Sequence, residues 1–173
     1  MGSLSNHSIF DIAQFYNLKL IDVVQKDLLK NTPQVNNGFY IINNQSSTEG
    51  NGTHWVALYL SKNLSFFFDS YGAPPPEDVV EYVKKFNSKH LYFNNFIIQN
   101  LNSDNCGYFC IAFILFVQNK SNKDYSNVLN IINEFINYFD ENTKRNDRIL
   151  EALFRMFEKN KSNKEIKKLY KQN

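Results

Sequence analysis

Four residues in the middle of the chain carry side chains that could together cut an acyl bond. Cys106 stands directly before Gly107 and behind a polar run, Ser103-Asp104-Asn105, that reads as the capped start of a helix. Backbone N–H groups at a helix start favour an anion, so a thiol placed there makes a ready nucleophile. A glycine beside it leaves the surface open to a substrate backbone. The alternative reading of a helix-start cysteine is inert core, and Cys110, one turn deeper in the same apolar run, has only that reading. A thiol nucleophile needs a base, and the chain has 3 histidines. His7 lies near the N-terminus and His90 at a loop edge. His54 instead opens a strand just after a glycine-containing loop, where the sheet holds its backbone and its ring can reach an active-site edge. Asp69 ends the next strand. If the two strands form a hairpin about Ser61-Lys62-Asn63, His54 and Asp69 fall at the same end of adjacent strands. The carboxylate could then orient the imidazole and stabilise its charged form; a solvated strand-end charge is the competing reading. Gln99, seven residues before Cys106, could join a backbone N–H at the helix start in donating to a developing oxyanion. Taken by itself it reads as a surface residue.

The elements that must position these groups follow from pattern and punctuation. Ser8 can cap a short helix reaching about Tyr16, and Leu18–Leu29 continues with apolar residues at mixed helical spacing until Pro33 and Asn36-Asn37-Gly38 end it. Phe39–Ile42 reads as a strand, Asn43–Gly52 as a polar loop, and His54–Leu60 with Leu64–Asp69 as the hairpin. Gly72-Ala73-Pro74-Pro75-Pro76 breaks the chain ahead of a helix, Glu77–Phe86, whose Val79, Val80, Val83 and Phe86 should face the sheet. Leu91–Gln99 is strand-like. Cys106–Val117 is almost wholly apolar, which marks a buried central helix. Amphipathic helices follow near Asp124–Phe139 and Lys144–Glu158, and Lys159–Asn173 reads as a frayed helical tail. With no linker and no repeat, residues 1–173 form one compact α+β domain.

Composition bounds the function. The chain has 173 residues, and 16 Phe with 10 Tyr supply ample area for a core. With 19 Lys+Arg against 17 Asp+Glu the formal charge is +2, which excludes a strongly basic nucleic-acid protein as the default. Lys84-Lys85 and the Lys-rich tail read as solvated faces. Two cysteines four positions apart make no disulfide framework, and no Cys/His set has zinc spacing. The expectation is a reduced, metal-free, intracellular protein that uses no cofactor. No apolar run reaches the roughly 18 residues of a membrane helix, and the polar start Met1–Asn6 is not a signal peptide. Abundant asparagine, and lysine far in excess of arginine, fit an AT-rich source such as a microbe, a virus or a mobile element. In a reduced protein the sequon Asn51-Gly52-Thr53 carries no weight.

The constellation also resembles a family. His54-Trp55, Asp69, Gln99 and Asn105-Cys106-Gly107-Tyr108-Phe109-Cys110 are similar to the adenain (adenovirus maturation protease) family and, more distantly, to the Ulp1-type SUMO proteases, whose order is also His, acid, Gln, Cys. Gly52-Thr53-His54-Trp55 and Phe68-Asp69-Ser70-Tyr71-Gly72 resemble adenain's His-Trp and acid-x-aromatic-Gly segments, and the seven-residue step from Gln99 to Cys106 resembles adenain rather than Ulp1. The overlap spans about Gly38 to Val117. One departure is Asp69, where adenain carries Glu; other members of the clan use Asp. The resemblance implies a papain-like, adenain-like domain with a central mixed sheet packed on the buried helix. It implies Cys106 as nucleophile, His54 as base, Asp69 as its orienting group and Gln99 as oxyanion donor, with Trp55 and Gly107 lining the substrate. By the same resemblance the substrates are viral capsid or core precursors cut at Gly-containing sites during maturation, in the virion and the host-cell cytoplasm. The source is a virophage, a Polinton-like element or a related DNA virus. Adenain is stimulated by a short peptide and by DNA, so an activating peptide or DNA is a partner to consider, and a membrane is not. The same site would also serve a protease that removes ubiquitin-like modifiers, although the short chain has few insertions to dock one. An acetyltransferase would need a cofactor pocket, and a degenerate structural module need not keep all four residues.

Overall fold

The computed structural model describes residues 2–50 and 54–170, with side chains described up to residue 159. Its centre is a five-stranded mixed sheet in the order β1-β2-β3-β4-β5: β1 (Leu20–Gln25), β2 (Gly38–Asn43), β3 (Trp55–Leu60), β4 (Ser65–Phe68) and β5 (Leu91–Phe93). The outer pairs β1/β2 and β4/β5 are parallel, and the inner pairs β2/β3 and β3/β4 are antiparallel. Every residue of β2, β3 and β4 is buried, as expected of strands covered on both faces. Because side chains alternate across a strand, Phe39, Ile41, Ala57, Tyr59, Phe66 and Phe68 share one face. Tyr40, Ile42, Val56, Leu58, Leu60 and Phe67 take the other.

The first face packs on α3 (Cys106–Ser121). This helix has apolar side chains all round because it is enclosed all round: β3 lies on one side, and α1 (Asn6–Tyr16), α4 (Val128–Ile136) and α5 (Thr143–Tyr170) lie on the others. Phe68 and Phe113 stack face to face between sheet and helix, with centroids 4.9 Å apart and planes at 4°. Phe135 of α4 meets both rings edge-on, and each such aromatic pair contributes about 0.5–1.5 kcal/mol beyond its burial. The second face is covered by α2 (Glu77–Lys85) and a 3-10 helix, Lys26–Asn31, through Val79, Tyr82, Val83 and Leu29. The α+β class, the central mixed sheet and the buried helix beginning at Cys106 are therefore as the sequence implied.

Five elements differ from the sequence expectation. The stretch Leu18–Leu29 is a strand followed by a 3-10 turn rather than a helix. Val23 faces one core cluster and Val24 the other, an alternation that parallel pairing with β2 enforces. The strand expected over Leu91–Gln99 pairs only as far as Phe93. There the Asn94 side-chain amide takes over, accepting from the Asp69 backbone N–H (3.0 Å) and donating to the Asp69 carbonyl (2.6 Å) as a neighbouring peptide would. Helix α1 begins earlier than expected, because Ser5 rather than Ser8 caps it: the Ser5 hydroxyl accepts the Ser8 N–H at 3.1 Å. The last two helices also change length. α4 is shorter than Asp124–Phe139, and α5 runs unbroken as far as Tyr170, into the stretch read as a frayed tail. The Asn51-Gly52-Thr53 portion of the His-Trp motif, and with it the sequon, lies outside the described residues.

Candidate active site

His54 immediately precedes β3 and Asp69 immediately follows β4, so the hairpin brings them to one end of the sheet. The His54 carbonyl accepts the Asn44 N–H at 2.8 Å, which ties this end of β3 to the end of β2. Asp69 is held by its backbone through Asn94, and its carboxylate Oδ1 accepts the Tyr71 N–H at 2.8 Å. The same oxygen lies 2.7 Å from His54 Nε2. Asp69 is 1% exposed and His54 14%, so this contact is shielded from water and little screened.

The pairing decides what the other ring nitrogen can do. With Nε2 bound to the carboxylate, Nδ1 is the nitrogen left for a proton transfer; it is buried and has no hydrogen-bond partner among the described residues. The group coupled to the ring beside Asp69 is Cys106. Burial alone acts to lower the imidazole's pKa. Interaction with the Asp69 carboxylate and with Cys106 outweighs it and pushes the pKa from 6.5 up to about 9, which favours the imidazolium near neutral pH.

Cys106 is the first residue of α3 and is 7% exposed. Its start is fixed by the preceding loop, which is tied to α5: Asn105 Nδ2 donates to Asp147 Oδ1 at 3.3 Å, and the Ser103 hydroxyl reaches the same oxygen at 3.5 Å. Cys110 is fully buried, and burial pushes its thiol well above the usual range.

Gln99 is also in this cluster and fully buried. Its backbone N–H donates to the Ser70 carbonyl (2.9 Å) and its Oε1 accepts the Ser70 hydroxyl (2.7 Å). Its Nε2 donates to the Ser103 carbonyl at 2.5 Å and to the Tyr71 hydroxyl at 3.2 Å. Both amide hydrogens are thus engaged at rest.

Trp55 is buried, and its indole N–H donates to the Leu4 carbonyl at 2.9 Å. The space that Gly107 leaves is occupied: a Cβ there would lie 3.0 Å from Leu4 Cδ1 and 3.3 Å from Trp55 Cδ1. His7 pairs with Asp11 on the exposed face of α1, and His90 packs against Tyr92; neither joins the cluster. Among the described residues no group of three or more His, Cys, Asp or Glu side chains could hold a metal ion. No helix among them is long and apolar enough to cross a membrane.

Sequence reasoning missed Leu4, Tyr71, Asn94 and Asp147 as parts of this cluster. For Tyr71 a signal was available. Continuing the register Ala57↔Phe68 by three residues brings His54 opposite Tyr71. Leu4 reaches the site from the segment before α1 and Asp147 from α5, and no local pattern announces them.

A mixed sheet wrapped on a helix that starts with a cysteine, with a His–Asp pair at the facing sheet end, defines a papain-like or Ulp1-like α+β fold. Among solved structures it is similar to the ASFV pS273R protease, with a TM-score of 0.51 at 16% identity over 76% of this chain and 61% of that one. The selenomethionine form of that protease gives 0.47 at 18% identity, over 76% and 62%. The chain thus spans about three-fifths of the protease it matches. No protein-family model matches the chain. No curated protein matches it.

Proposed function

We propose that this chain is a cysteine endopeptidase of viral maturation, of the adenain-like subtype. The observation that carries the reading is the shielded His54–Asp69 pair, which leaves a buried, unpartnered Nδ1 on a ring coupled to Cys106 at a helix start. Cys106 gives its thiol proton to His54, and its Sγ attacks the scissile carbonyl carbon to form a tetrahedral oxyanion. His54 then gives its proton to the leaving amine as the C–N bond breaks, and a thioester remains. Water, losing a proton to His54, hydrolyses that thioester and returns the thiol. Asp69 holds the ring and stabilises its charged form throughout. The N–H groups at the start of α3 and the Gln99 amide hold the oxyanion; for Gln99 this exchanges one of its resting acceptors, the Ser103 carbonyl or the Tyr71 hydroxyl, for the substrate oxygen.

Trp55 and Gly107, packed against Leu4, back the nucleophile rather than line an open surface; a cleft that threads a narrow backbone past Cys106 favours Gly at the cleaved bond, since only Gly brings its backbone that close. The substrates are capsid or core precursor proteins of a virophage or related DNA virus, cut in the virion or the host-cell cytoplasm, with a peptide or DNA as a further partner. The test is incubation of the purified protein with such a precursor, beside a Cys106→Ala control. Discrete fragments from the wild type alone, with new termini at Gly, are expected. An intact precursor together with slow alkylation of Cys106 would remove the reading.

A further inference from the structure

Tyr71 touches three of the four groups in the cluster. Its backbone N–H donates to Asp69 Oδ1 at 2.8 Å, the oxygen that binds His54. Its ring stacks on the His54 imidazole, with centroids 4.6 Å apart and planes at 25°. Its hydroxyl accepts from Gln99 Nε2 at 3.2 Å and lies 3.5 Å from the Ser103 carbonyl. The turn that carries it is fixed: the Gly72 N–H donates to the Asp69 carbonyl at 2.9 Å, and Gly72 sits at φ +70 against the Phe96 backbone, where a Cβ would lie 2.5 Å from the Phe96 carbonyl oxygen.

The hydrogen bond to Asp69 does not by itself settle the imidazole's orientation. It anchors Nε2 but tolerates a partial χ2 rotation that tilts the ring plane and carries Nδ1 away from Cys106. A flat ring stacked on the imidazole face blocks this rotation. The same ring ends in the hydroxyl that holds the Gln99 amide, so one stiff side chain spans the base and the proposed oxyanion donor. We propose that Tyr71 is a positioning residue that locks the His54 ring toward Cys106 through its face and sets the Gln99 amide through its hydroxyl. The proposal rests on the reading of Cys106 as a nucleophile served by His54.

The two halves separate in two variants. Tyr71→Phe keeps the stack and removes the hydroxyl; Tyr71→Leu removes both. Each is compared with wild type by its kcat and KM on a Gly-containing peptide, and by the pH dependence of Cys106 alkylation with iodoacetamide, which needs no peptide substrate. Thermal melts confirm folding. Tyr71→Phe is expected to keep the wild-type alkylation profile and to lose about tenfold in kcat with KM unchanged. Tyr71→Leu is expected to lose about 100-fold in kcat and to move the alkaline limb of alkylation down by about one pH unit, since the imidazolium loses its stacking partner. A change in KM alone for both variants would make Tyr71 a mere lining residue and overturn the proposal. So would an alkylation profile in Tyr71→Leu that superimposes on wild type. If the wild type cuts no peptide while Tyr71→Leu still shifts the profile, the positioning of His54 stands and the peptidase reading falls.

Discussion

Asp69→Asn is the sharpest single test of the electrostatics at the site. In the folded protein the His54 pKa stands at about 9 against an ordinary 6.5, although burial acts in the opposite direction. Those 2.5 units correspond to about 3 kcal/mol in favour of the imidazolium. Asp69 and Cys106 supply the raising interactions, and Asp69 contributes both a hydrogen bond and a charge. An asparagine keeps an Oδ1 acceptor for the Tyr71 N–H but removes the charge, so burial and Cys106 alone should set the new value. We expect a fall of at least about one unit, roughly 1.4 kcal/mol. Titration of the His54 ring by NMR reads it directly. Stability gives a second readout with a definite sign. Because the folded-state pKa is raised, this histidine's contribution is fully present below pH 6.5 and lost as pH rises through about 9. Wild type should therefore lose up to about 3 kcal/mol of this term across that window, and Asp69→Asn visibly less in urea titrations at the two ends. A His54 pKa in Asp69→Asn within a few tenths of the wild-type value would refute the assignment of the shift to this carboxylate.

Other outcomes follow from the same packing. Cys106 should alkylate quickly at pH 6 in the folded protein while Cys110, fully buried, reacts only on unfolding; equal slow labelling of both, read by peptide mapping, would contradict the site. Asn94→Ala removes both bonds to the Asp69 backbone and leaves a buried N–H and C=O unpaired, so it should cost about 2–4 kcal/mol in denaturant unfolding and lower activity as well. Gly72→Ala places a Cβ against the Phe96 backbone at a positive φ, and a loss of at least about 2 kcal/mol is expected in a thermal melt; an unchanged midpoint would show that the turn relaxes freely.

How much of this was legible in the sequence depended on whether the deciding contacts were local. The hairpin was readable because two dense apolar runs flank Ser61-Lys62-Asn63, and a tight turn sets their register. That register alone puts His54 near Asp69. Helix α3 was readable because only a fully enclosed helix has apolar side chains on every side. Leu18–Leu29 was not, since its apolar residues fit either period and the decision falls to parallel pairing with β2 across a long connection. Leu91–Gln99 was read too long because Ile97 and Ile98 extend the apolar pattern, while the side chain that ends the pairing, Asn94, looks like any polar residue. The company that Gln99 keeps was equally hidden: Ser70, Tyr71 and Ser103 meet it only after the sheet and the loop before α3 are in place.

The seat of Leu4 has a consequence for anything that precedes it in the chain. Its carbonyl is fastened to Trp55 and its side chain lies over Gly107, the residue next to Cys106. A polypeptide attached ahead of Gly2 is therefore tethered beside Cys106 by a few residues. Such a tether holds its cargo at an effective concentration in the millimolar range, whatever the concentration of the protein in solution. Under the peptidase reading proposed above, a leader of that kind would compete with every free substrate for Cys106, and its removal in cis should proceed at a rate that dilution leaves unchanged.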